Sequence, residues 1–223
     1  MKYHRLEGEE REHLEALMRD FPTTSPPSIN EASKSIHIRF EKLDIEQFSG
    51  NLRQYDEAGF LDRFKSLSCK THHYLYQDIL ANAGEYRKST DPDKGEILFG
   101  PRQRFRGWRL GEIACGVVQA CSFLGKNTQT PVENVVTFYQ QFVCVHPFYD
   151  ANGRIARFMA SIYLDYHGYH MSWSGLRRNQ QWLKKLNDCH VRMKTSQYGQ
   201  YLGYLIQHWQ RNISSKESIL KGR

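Results

Sequence analysis

The side chains of this sequence that could act together in catalysis are concentrated in residues 146–157, which read HPFYDANGRIAR. The run contains an imidazole, a carboxylate, an amide and two guanidinium groups: His146, Asp150, Asn152, Arg154 and Arg157. Apolar residues at helical spacing stand on both sides of it, so we expect a loop that joins two helices. A main chain that enters a helix has unpaired N–H groups at the positive end of the helix dipole, and such a place favours phosphate.

Each of these side chains has a part to play in chemistry on a phosphate. Arg154 and Arg157 are three residues apart on the second helix, so both point to one side of it. Asp150 could hold a divalent metal on the same phosphates, and His146 is a base within reach. Together they indicate a nucleotidyl transfer. Taken singly, each has an ordinary explanation, since Asp150 or Asn152 could cap the second helix and the arginines could be solvated.

The whole pattern resembles the signature of the Fic family, which has a histidine, an acidic residue, an asparagine and two arginines at these spacings. A less specific resemblance lies in residues 73–87, which end in an Ala-Gly-Glu-x-Arg element at the family's usual distance upstream. The resemblance implies a mostly α fold, a Fic-like helical bundle with a short β-hairpin flap over the active-site loop. It divides the chain into an N-terminal helical extension and linker (1–69), a Fic domain (70–211) and a C-terminal tail (212–223).

The resemblance also implies an activity. Family members move AMP from ATP to a Ser, Thr or Tyr hydroxyl of a target protein and release pyrophosphate. By position, His146 is the general base and Asp150 holds Mg²⁺ on the α- and β-phosphates. Arg154 grips the β/γ end of the nucleotide and Arg157 the γ-phosphate. The implied nucleotide- and phosphate-binding residues are Ala151, Asn152, Gly153, Arg154 and Arg157.

Two positions of the motif bear on alternative functions. Ala151 stands where glycine is usual and narrows the conformations of the anion loop. Relatives that transfer the terminal phosphate carry a lysine at the position of Gly153, so glycine favours AMP transfer. A different nucleotide or a phosphocholine donor is compatible with the motif. A non-catalytic phosphate-binding module is disfavoured, because it would need neither the base His146 nor the metal ligand Asp150.

The best β-hairpin candidate in the sequence precedes the motif. Residues 91–95 read DPDKG, a turn sequence, and Glu96–Phe99 follows as a short strand. A plain surface loop is the alternative interpretation. In the Fic family a hairpin at this place, the flap, holds the target polypeptide by strand addition. The resemblance therefore implies a target protein bound along Glu96–Phe99.

Apolar periodicity predicts the helices that must position the motif. We expect them near residues 7–19, 35–48, 58–67, 71–83, 108–124, 174–194 and 198–211, with a linker over 21–35. A capping box at Thr130–Glu133 should open the helix that ends at His146, and the helix after the motif should close at Gly168. Phe148 should point inward, and the end of the chain from residue 214 should be frayed.

Composition excludes several classes of protein. The 223 residues suit one domain with an extension, and the formal charge of +7 is compatible with anionic partners. Five scattered cysteines are typical of a reducing compartment. We find no signal peptide, membrane span or nucleic-acid motif in the sequence, which favours a cytoplasmic protein or one delivered into a host or target cell.

The sequence also makes a prediction about regulation. Many Fic enzymes carry an inhibitory helix with a [Ser/Thr]-x-x-x-Glu-[Gly/Asn] motif, whose glutamate pairs with the second motif arginine. Here Glu7-Gly8 follows Tyr3, and Glu133-Asn134 follows Gln129, so neither qualifies. We therefore expect an enzyme that is unrestrained or held by a separate antitoxin-like protein. A degenerate inhibitory element on the N-terminal helix, using Glu9, Glu10 or Glu12, is the alternative.

Overall fold

The computed structural model describes residues 8–178 and 181–216, which fold mainly into helices. The helices are α1 (Glu9–Asp20), α2 (Ile29–Glu41), α3 (Ile45–Leu52), α4 (Glu57–Tyr76), α5 (Ile113–Cys121), α6 (Pro131–Val145), α7 (Asn152–Tyr166), α8 (Trp173–Arg178), α9 (Gln181–Arg192) and α10 (Tyr198–Gln210). Single 3₁₀ turns lie at Pro92–Gly95, Pro101–Gln103 and Leu110–Glu112. No helix of the described part is long and apolar enough to cross a membrane.

Two antiparallel pairs of short strands complete the structure. Strand β1 (Leu98–Phe99) pairs with β2 (Phe105–Arg106), so a hairpin forms in the predicted region, although each strand has only two residues. Its strand is shorter than the predicted Glu96–Phe99, and its turn spans residues 100–104, because Pro92–Gly95 forms a separate 3₁₀ turn. Strand β3 (Tyr169–Met171) pairs with β4 (Ile213–Ser215). This second pair corrects the prediction of a frayed end from residue 214, because the main chain there is hydrogen-bonded as far as Lys216. Residues 217–223 lie outside the described residues.

The two helices that flank the motif form the centre of the fold. Helices α6 and α7 pack against each other, α5 and α10 pack on α6, and α3 and α4 pack on α7. The core between them is apolar and includes Val135, Phe138, Phe142, Ile155, Met159 and Ile162, all fully buried. The motif is thus held between the two best-packed elements of the molecule, as the periodicity predicts.

Helix α4 is one long helix where the sequence predicts two. Phe60, Phe64, Leu67, Thr71 and Leu75 are buried at helical spacing along its whole length, so no break occurs near residue 70. The predicted helical stretch to residue 83 is wrong at its other end, because α4 stops at Tyr76 and turns follow. The chain then passes through a glycine at residue 84 in the left-handed region (φ 89°).

The predicted linker over 21–35 is partly helical. Helix α2 begins at Ile29 because Ser28 and Glu31 form a complete capping box, in which the Ser28 Oγ accepts from the Glu31 N–H at 3.4 Å and the Glu31 carboxylate accepts from the Ser28 N–H at 2.9 Å. The predicted helix over 35–48 is accordingly two helices, with Asp44 capping the second.

The predicted capping box at Thr130 does not form. Helix α6 begins at Pro131 as expected, but Thr130 makes no side-chain capping bond, and its hydroxyl contacts Asn134 instead. The helix predicted over 108–124 contracts to α5 with a preceding 3₁₀ turn. The helix predicted over 174–194 is described as α8 and α9, which end two residues early at Arg192; residues 179–180 between them lie outside the described residues.

These two threonine and serine positions offer a matched stability test. Ser28→Ala should lower the free energy of unfolding by about 1 kcal/mol, because it removes an N-cap. Thr130→Ala removes an exposed hydroxyl that caps nothing and should change the free energy of unfolding by less than about 0.5 kcal/mol. Urea unfolding of both variants and the unmodified chain measures the difference. Equal losses for the two variants would contradict the assignment of the caps.

Candidate active site

The motif loop is bracketed by two residues in the left-handed region. His146 ends α6 with φ 52° and ψ 59°, and Ala151 precedes α7 with φ 61° and ψ 5°. Such a conformation costs a non-glycine residue roughly 1–2 kcal/mol, so the surrounding contacts must enforce it. At Ala151 the sequence has alanine where the motif predicts glycine, and the backbone there still adopts the left-handed conformation that glycine favours.

Asn152 closes the loop on itself. Its side-chain oxygen accepts from the Phe148 N–H at 3.0 Å, and its amide nitrogen donates to the Phe148 carbonyl at 2.7 Å. Because the Asn152 side chain is buried and both of its ends are used, a contact with phosphate from this residue would come from its main-chain N–H. Phe148 is buried as predicted and stacks on His72 with ring centroids 4.3 Å apart.

A buried arginine from the upstream segment fastens the loop to the flap. Arg87 Nε donates to the His146 carbonyl at 2.8 Å, and its Nη atoms donate to the carbonyls of Gly95 and Trp108. The Arg87 main-chain N–H also donates to the Pro147 carbonyl at 3.0 Å. One side chain therefore holds the base of the flap and the end of α6 together.

The imidazole of His146 is held as a neutral ring. Its Nδ1 lies 3.1 Å from the Val143 carbonyl, which can only accept, so Nδ1 carries the proton and Nε2 has the free lone pair. The ring of Phe99, from the flap, stacks on it with centroids 4.1 Å apart. Burial lowers the pKa of His146 to about 4, so the ring is unprotonated at neutral pH.

Asp150 and Arg154 form an ion pair on the same loop. Asp150 Oδ2 accepts from Arg154 Nη2 at 2.8 Å and from the Tyr76 hydroxyl at 2.6 Å, and Oδ1 accepts from the Ala151 N–H at 2.5 Å. Burial alone would raise the pKa of Asp150, but Arg154 and these hydrogen bonds outweigh it and lower the pKa to about 2. The carboxylate is therefore ionised at neutral pH.

The second motif arginine is also held by a buried tyrosine. Arg157 is hydrogen-bonded to the hydroxyl of Tyr139, a buried residue of α6. Burial raises the pKa of that hydroxyl. Gly153 lies beside this arginine, and a Cβ added to it would stand 3.7 Å from Arg157 Nη1, which is ordinary contact. A side chain at Gly153 would therefore fit the fold and project beside Arg157.

All the predicted site residues line one cavity of about 540 Å³, a size that suits a small-molecule ligand. The remaining wall comes from the flap and from the N-terminal helices: Glu10, His13, Ser33, Ile36, His37, Ile97, Leu98 and Phe99. Helix α1 touches the loop directly, because His13 Nε2 is 3.1 Å from the Tyr149 carbonyl.

Sequence reasoning found the motif and missed the side chains that support it. Tyr76, Tyr139 and Glu10 belong to helices that were assigned from apolar spacing or left without a function. Arg87 was included only in the upstream family element. No local signal marks these residues, because their contacts with the motif join distant parts of the chain.

The donor set fits a magnesium ion that arrives with a nucleotide. Among the described residues there is no group of three or more His, Cys, Asp or Glu side chains that could hold a metal by itself. Mg²⁺ in nucleotide sites takes one or two carboxylates and completes its shell with phosphate oxygens and water. The ionised Asp150 at the rim of the cavity supplies such a carboxylate.

The comparisons with known proteins agree with this fold. Residues 61–164 match the family model described as Fic/DOC family. A comparison with curated protein sequences gives no match. A Fic domain containing signaling protein from Bacteroides thetaiotaomicron has a similar structure, with a TM-score of 0.58 and 19% identity over 91% of this chain and 81% of that one.

Two Bartonella structures are similar as well. The N-terminal Fic domain of a VirB-translocated effector from Bartonella quintana, with bound ADP, gives a TM-score of 0.54 and 14% identity over 91% of this chain and 97% of that one. The BepC protein of Bartonella tribocorum, with bound AMPPNP, gives 0.53 and 14% over 89% and 97%. At these identities the likeness shows the fold.

The buried histidines predict how stability depends on pH. His72, His146 and His190 each have a pKa lowered to about 4 by burial, against an ordinary value of 6.5. Between these values the unfolded chain binds protons that the folded chain does not. The free energy of unfolding should therefore fall as the pH drops from about 6.5 to 4, by up to about 1.4 kcal/mol per pH unit for each group.

Urea unfolding at pH 7.5 and pH 5 measures this fall. His190→Gln keeps a hydrogen-bonding group beside Gln140 and removes one of the three protons, so its pH dependence should be shallower. A free energy of unfolding that stays constant over this range would show that these histidines titrate normally in the folded chain.

Proposed function

This chain carries a domain of the Fic/DOC family, and from that premise we propose that it is a protein adenylyltransferase. It would transfer AMP from ATP to a Ser, Thr or Tyr hydroxyl of a target protein and release pyrophosphate. The observation that carries the proposal is that one cavity brings together a neutral imidazole, an ionised carboxylate and two arginines. The relatives with bound ADP and AMPPNP support a nucleotide as the ligand.

In the proposed reaction the target hydroxyl oxygen attacks the α-phosphorus of ATP. A bond forms between that oxygen and phosphorus, the bond from the α-phosphorus to the bridging oxygen breaks, and pyrophosphate leaves with the electron pair. The hydroxyl proton passes to the lone pair on Nε2 of His146. That lone pair is free because the ring proton is on Nδ1, which donates to the Val143 carbonyl. Bound Mg²⁺ would neutralise charge on the phosphates and orient them.

The low pKa of His146 fits the state before ATP binds. A base works best when its pKa is near the working pH, so a pKa of about 4 gives the correct protonation state but a weak base. The negative charge of a triphosphate beside the ring favours the imidazolium and raises the pKa. Nucleotide binding would therefore strengthen the base at the moment it is needed.

The loop and arginines supply positions for the phosphates. The N-terminus of α7 presents main-chain N–H groups, beginning at Asn152 and Gly153, to an anion. Arg154 and Arg157 extend from the same helix, and we assign them to the β/γ end and the γ-phosphate. Gly153 supports AMP transfer over terminal-phosphate transfer. A lysine at this position would project beside Arg157 and compete with the γ-phosphate that we assign to that arginine.

The flap supports a polypeptide as the second substrate. Leu98 on β1 is 49% exposed and lines the cavity, and its neighbour Phe99 covers the ring of His146. A strand added along Glu96–Phe99 would carry a hydroxyl to the base. Such a strand would find an apolar contact in Leu98 and would have to displace Phe99 from the imidazole.

Labelled ATP tests the reaction. The full chain, incubated with a cell lysate and Mg²⁺, should transfer label from [α-³²P]ATP to a protein and none from [γ-³²P]ATP. EDTA should abolish the transfer. His146→Ala should reduce the rate roughly a hundredfold while leaving nucleotide binding nearly intact, because a general base contributes about 10²–10⁴-fold.

Gly153→Lys provides the second variant, since the structure leaves room for a side chain and folding should be preserved. It should impair AMP transfer by crowding the phosphates. Transfer of the γ-label, activity in EDTA, or a His146→Ala variant with more than about a tenth of the wild-type rate would refute the proposal.

We further propose that the chain has no inhibitory element of its own, so that inhibition requires a separate protein that supplies a glutamate to Arg157. Of the three acidic candidates on α1, only Glu10 lines the cavity, and its charge contributes to raising the pKa of Arg154. Deleting the N-terminal segment would be a poor test, because Leu14, Leu17 and Ala32 belong to the core. A single substitution is cleaner.

Glu10→Gln should leave the transfer rate within about twofold of the unmodified chain, because a single exposed charge at a cavity rim has a small effect. The matched control is Glu12→Gln on the same helix, at an exposed position away from the cavity. A rise of about tenfold or more for Glu10→Gln alone would mean that α1 restrains the enzyme and that no separate inhibitor is required.

A further inference from the structure

Tyr76, the last residue of α4, has a hydroxyl that contacts two charged side chains of the motif. The hydroxyl donates to Asp150 Oδ2 at 2.6 Å and accepts from Arg154 Nη2 at 3.0 Å. The residue is fully buried. It lies outside residues 146–157, and the proposed reaction assigns it no part.

The ring that carries this hydroxyl is the end of a column of three stacked rings. It stacks on His72 with centroids 4.8 Å apart, and His72 stacks in turn on Phe148 with centroids 4.3 Å apart. The Gly84 N–H donates to His72 Nδ1 at 2.8 Å and locks the middle ring. This column of three rings joins α4 to the motif loop, so the hydroxyl is held at a set position relative to Asp150.

The two oxygens of Asp150 are used differently. Oδ2 is occupied by two donors, Tyr76 and Arg154, whereas among the described residues Oδ1 takes one hydrogen bond, from the Ala151 N–H. The side chain remains 27% exposed, so a ligand in the cavity can reach it. Oδ2 is thus held by two side chains, whereas Oδ1 has a single main-chain partner.

We propose that Tyr76 is a positioning residue for the metal–nucleotide complex. Its hydroxyl fixes Asp150 through Oδ2, so that Oδ1 is presented to the cation, and it keeps the carboxylate oriented when Arg154 turns to the phosphates. Carboxylates that ligate metals are themselves hydrogen-bonded, and losing such a partner typically costs 10–100-fold in metal affinity or activity. The inference rests on the proposed function, because the cation arrives with the nucleotide.

The test compares two identical substitutions. Tyr76→Phe removes one oxygen and keeps the ring and its stacking on His72. The control is Tyr163→Phe, at a tyrosine that is also fully buried and donates one hydrogen bond, to the Gly125 carbonyl at 3.0 Å, away from the cavity. The ligand is α,β-methylene ATP, whose α–β link cannot break, so that binding is measured without turnover.

Calorimetry on the full chain gives the Mg²⁺ concentration for half-maximal binding of this nucleotide. Tyr76→Phe should need about tenfold more Mg²⁺, and Tyr163→Phe should stay within about twofold of the unmodified chain. The affinity for the nucleotide without metal should change less than about twofold in both variants, because Tyr76 acts through Asp150. In an Asp150→Asn background, Tyr76→Phe should add less than about a further twofold, since the carboxylate it orients is gone.

A Mg²⁺ midpoint for Tyr76→Phe equal to that of the unmodified chain overturns the inference. So does an equal loss of metal-free affinity, which would mean that the hydroxyl supports the whole pocket, or a full tenfold effect in the Asp150→Asn background. An unmodified chain that binds the metal–nucleotide complex but transfers no AMP refutes the proposed function alone. An unmodified chain that binds no nucleotide with Mg²⁺ overturns both.

Discussion

The rest of the site depends on the hydrogen bonds that the buried guanidinium of Arg87 donates to main-chain carbonyls. Burying a charge is costly unless it is hydrogen-bonded, and a guanidinium offers five N–H donors in a rigid plane. Arg87 is 3% exposed, and its N–H groups donate to main-chain carbonyls that accept no hydrogen bond within a helix or strand. The base of the flap, Trp108 and the end of α6 therefore have a common fixed point, and none of them can move far without leaving this charge unsatisfied.

The geometry of His146 follows from that fixed point. Arg87 holds the carbonyl of His146, and α6 supplies the Val143 carbonyl that holds Nδ1 of the same residue. With its main chain and ring both tied, His146 accepts a left-handed conformation that a free loop would avoid. The flap residue Phe99 then packs on a ring whose position is already set. The position of His146 is thus set mostly by main-chain carbonyls, which are insensitive to the identity of the residues that carry them.

The sequence predicts the centre of the fold well and its edges poorly. Helices α6 and α7 and the loop between them follow from strong apolar periodicity, from Pro131 at one start and from Gly168 beyond the other end. The N-terminal boundaries are wrong because the capping box at Ser28 lies among prolines, which dominate a local interpretation. Helix α4 was divided because its apolar positions near residue 70 are sparse, although tertiary packing keeps it continuous.

The site residues divide in the same way. The motif members are adjacent in sequence, so their types and spacing are visible in the chain itself. Their supporting partners are not, because Tyr76 lies on α4, Tyr139 on α6 and Glu10 on α1, and only the packed structure makes them neighbours of the arginines. A polar tip on an otherwise buried ring carries no periodic signal, so the sequence gives it the same reading as any core aromatic.

The ion pair of Asp150 and Arg154 shows how a highly charged site is stable before any ligand binds. Each side chain is about 30% exposed, and either charge alone would be costly in that partly dry position. Paired with each other and with the Tyr76 hydroxyl, both are satisfied. In the proposed reaction a metal-bound nucleotide carries both signs of charge. Its phosphates can take Arg154 from Asp150 while its cation takes Asp150 from Arg154, so neither residue is left unpaired. A nucleotide without a cation would pair with Arg154 and leave Asp150 without its partner. A cation without a nucleotide would pair with Asp150 and leave Arg154 without its partner. Under the proposed function, charge balance in the resting site would therefore favour a ligand that is metal and nucleotide together.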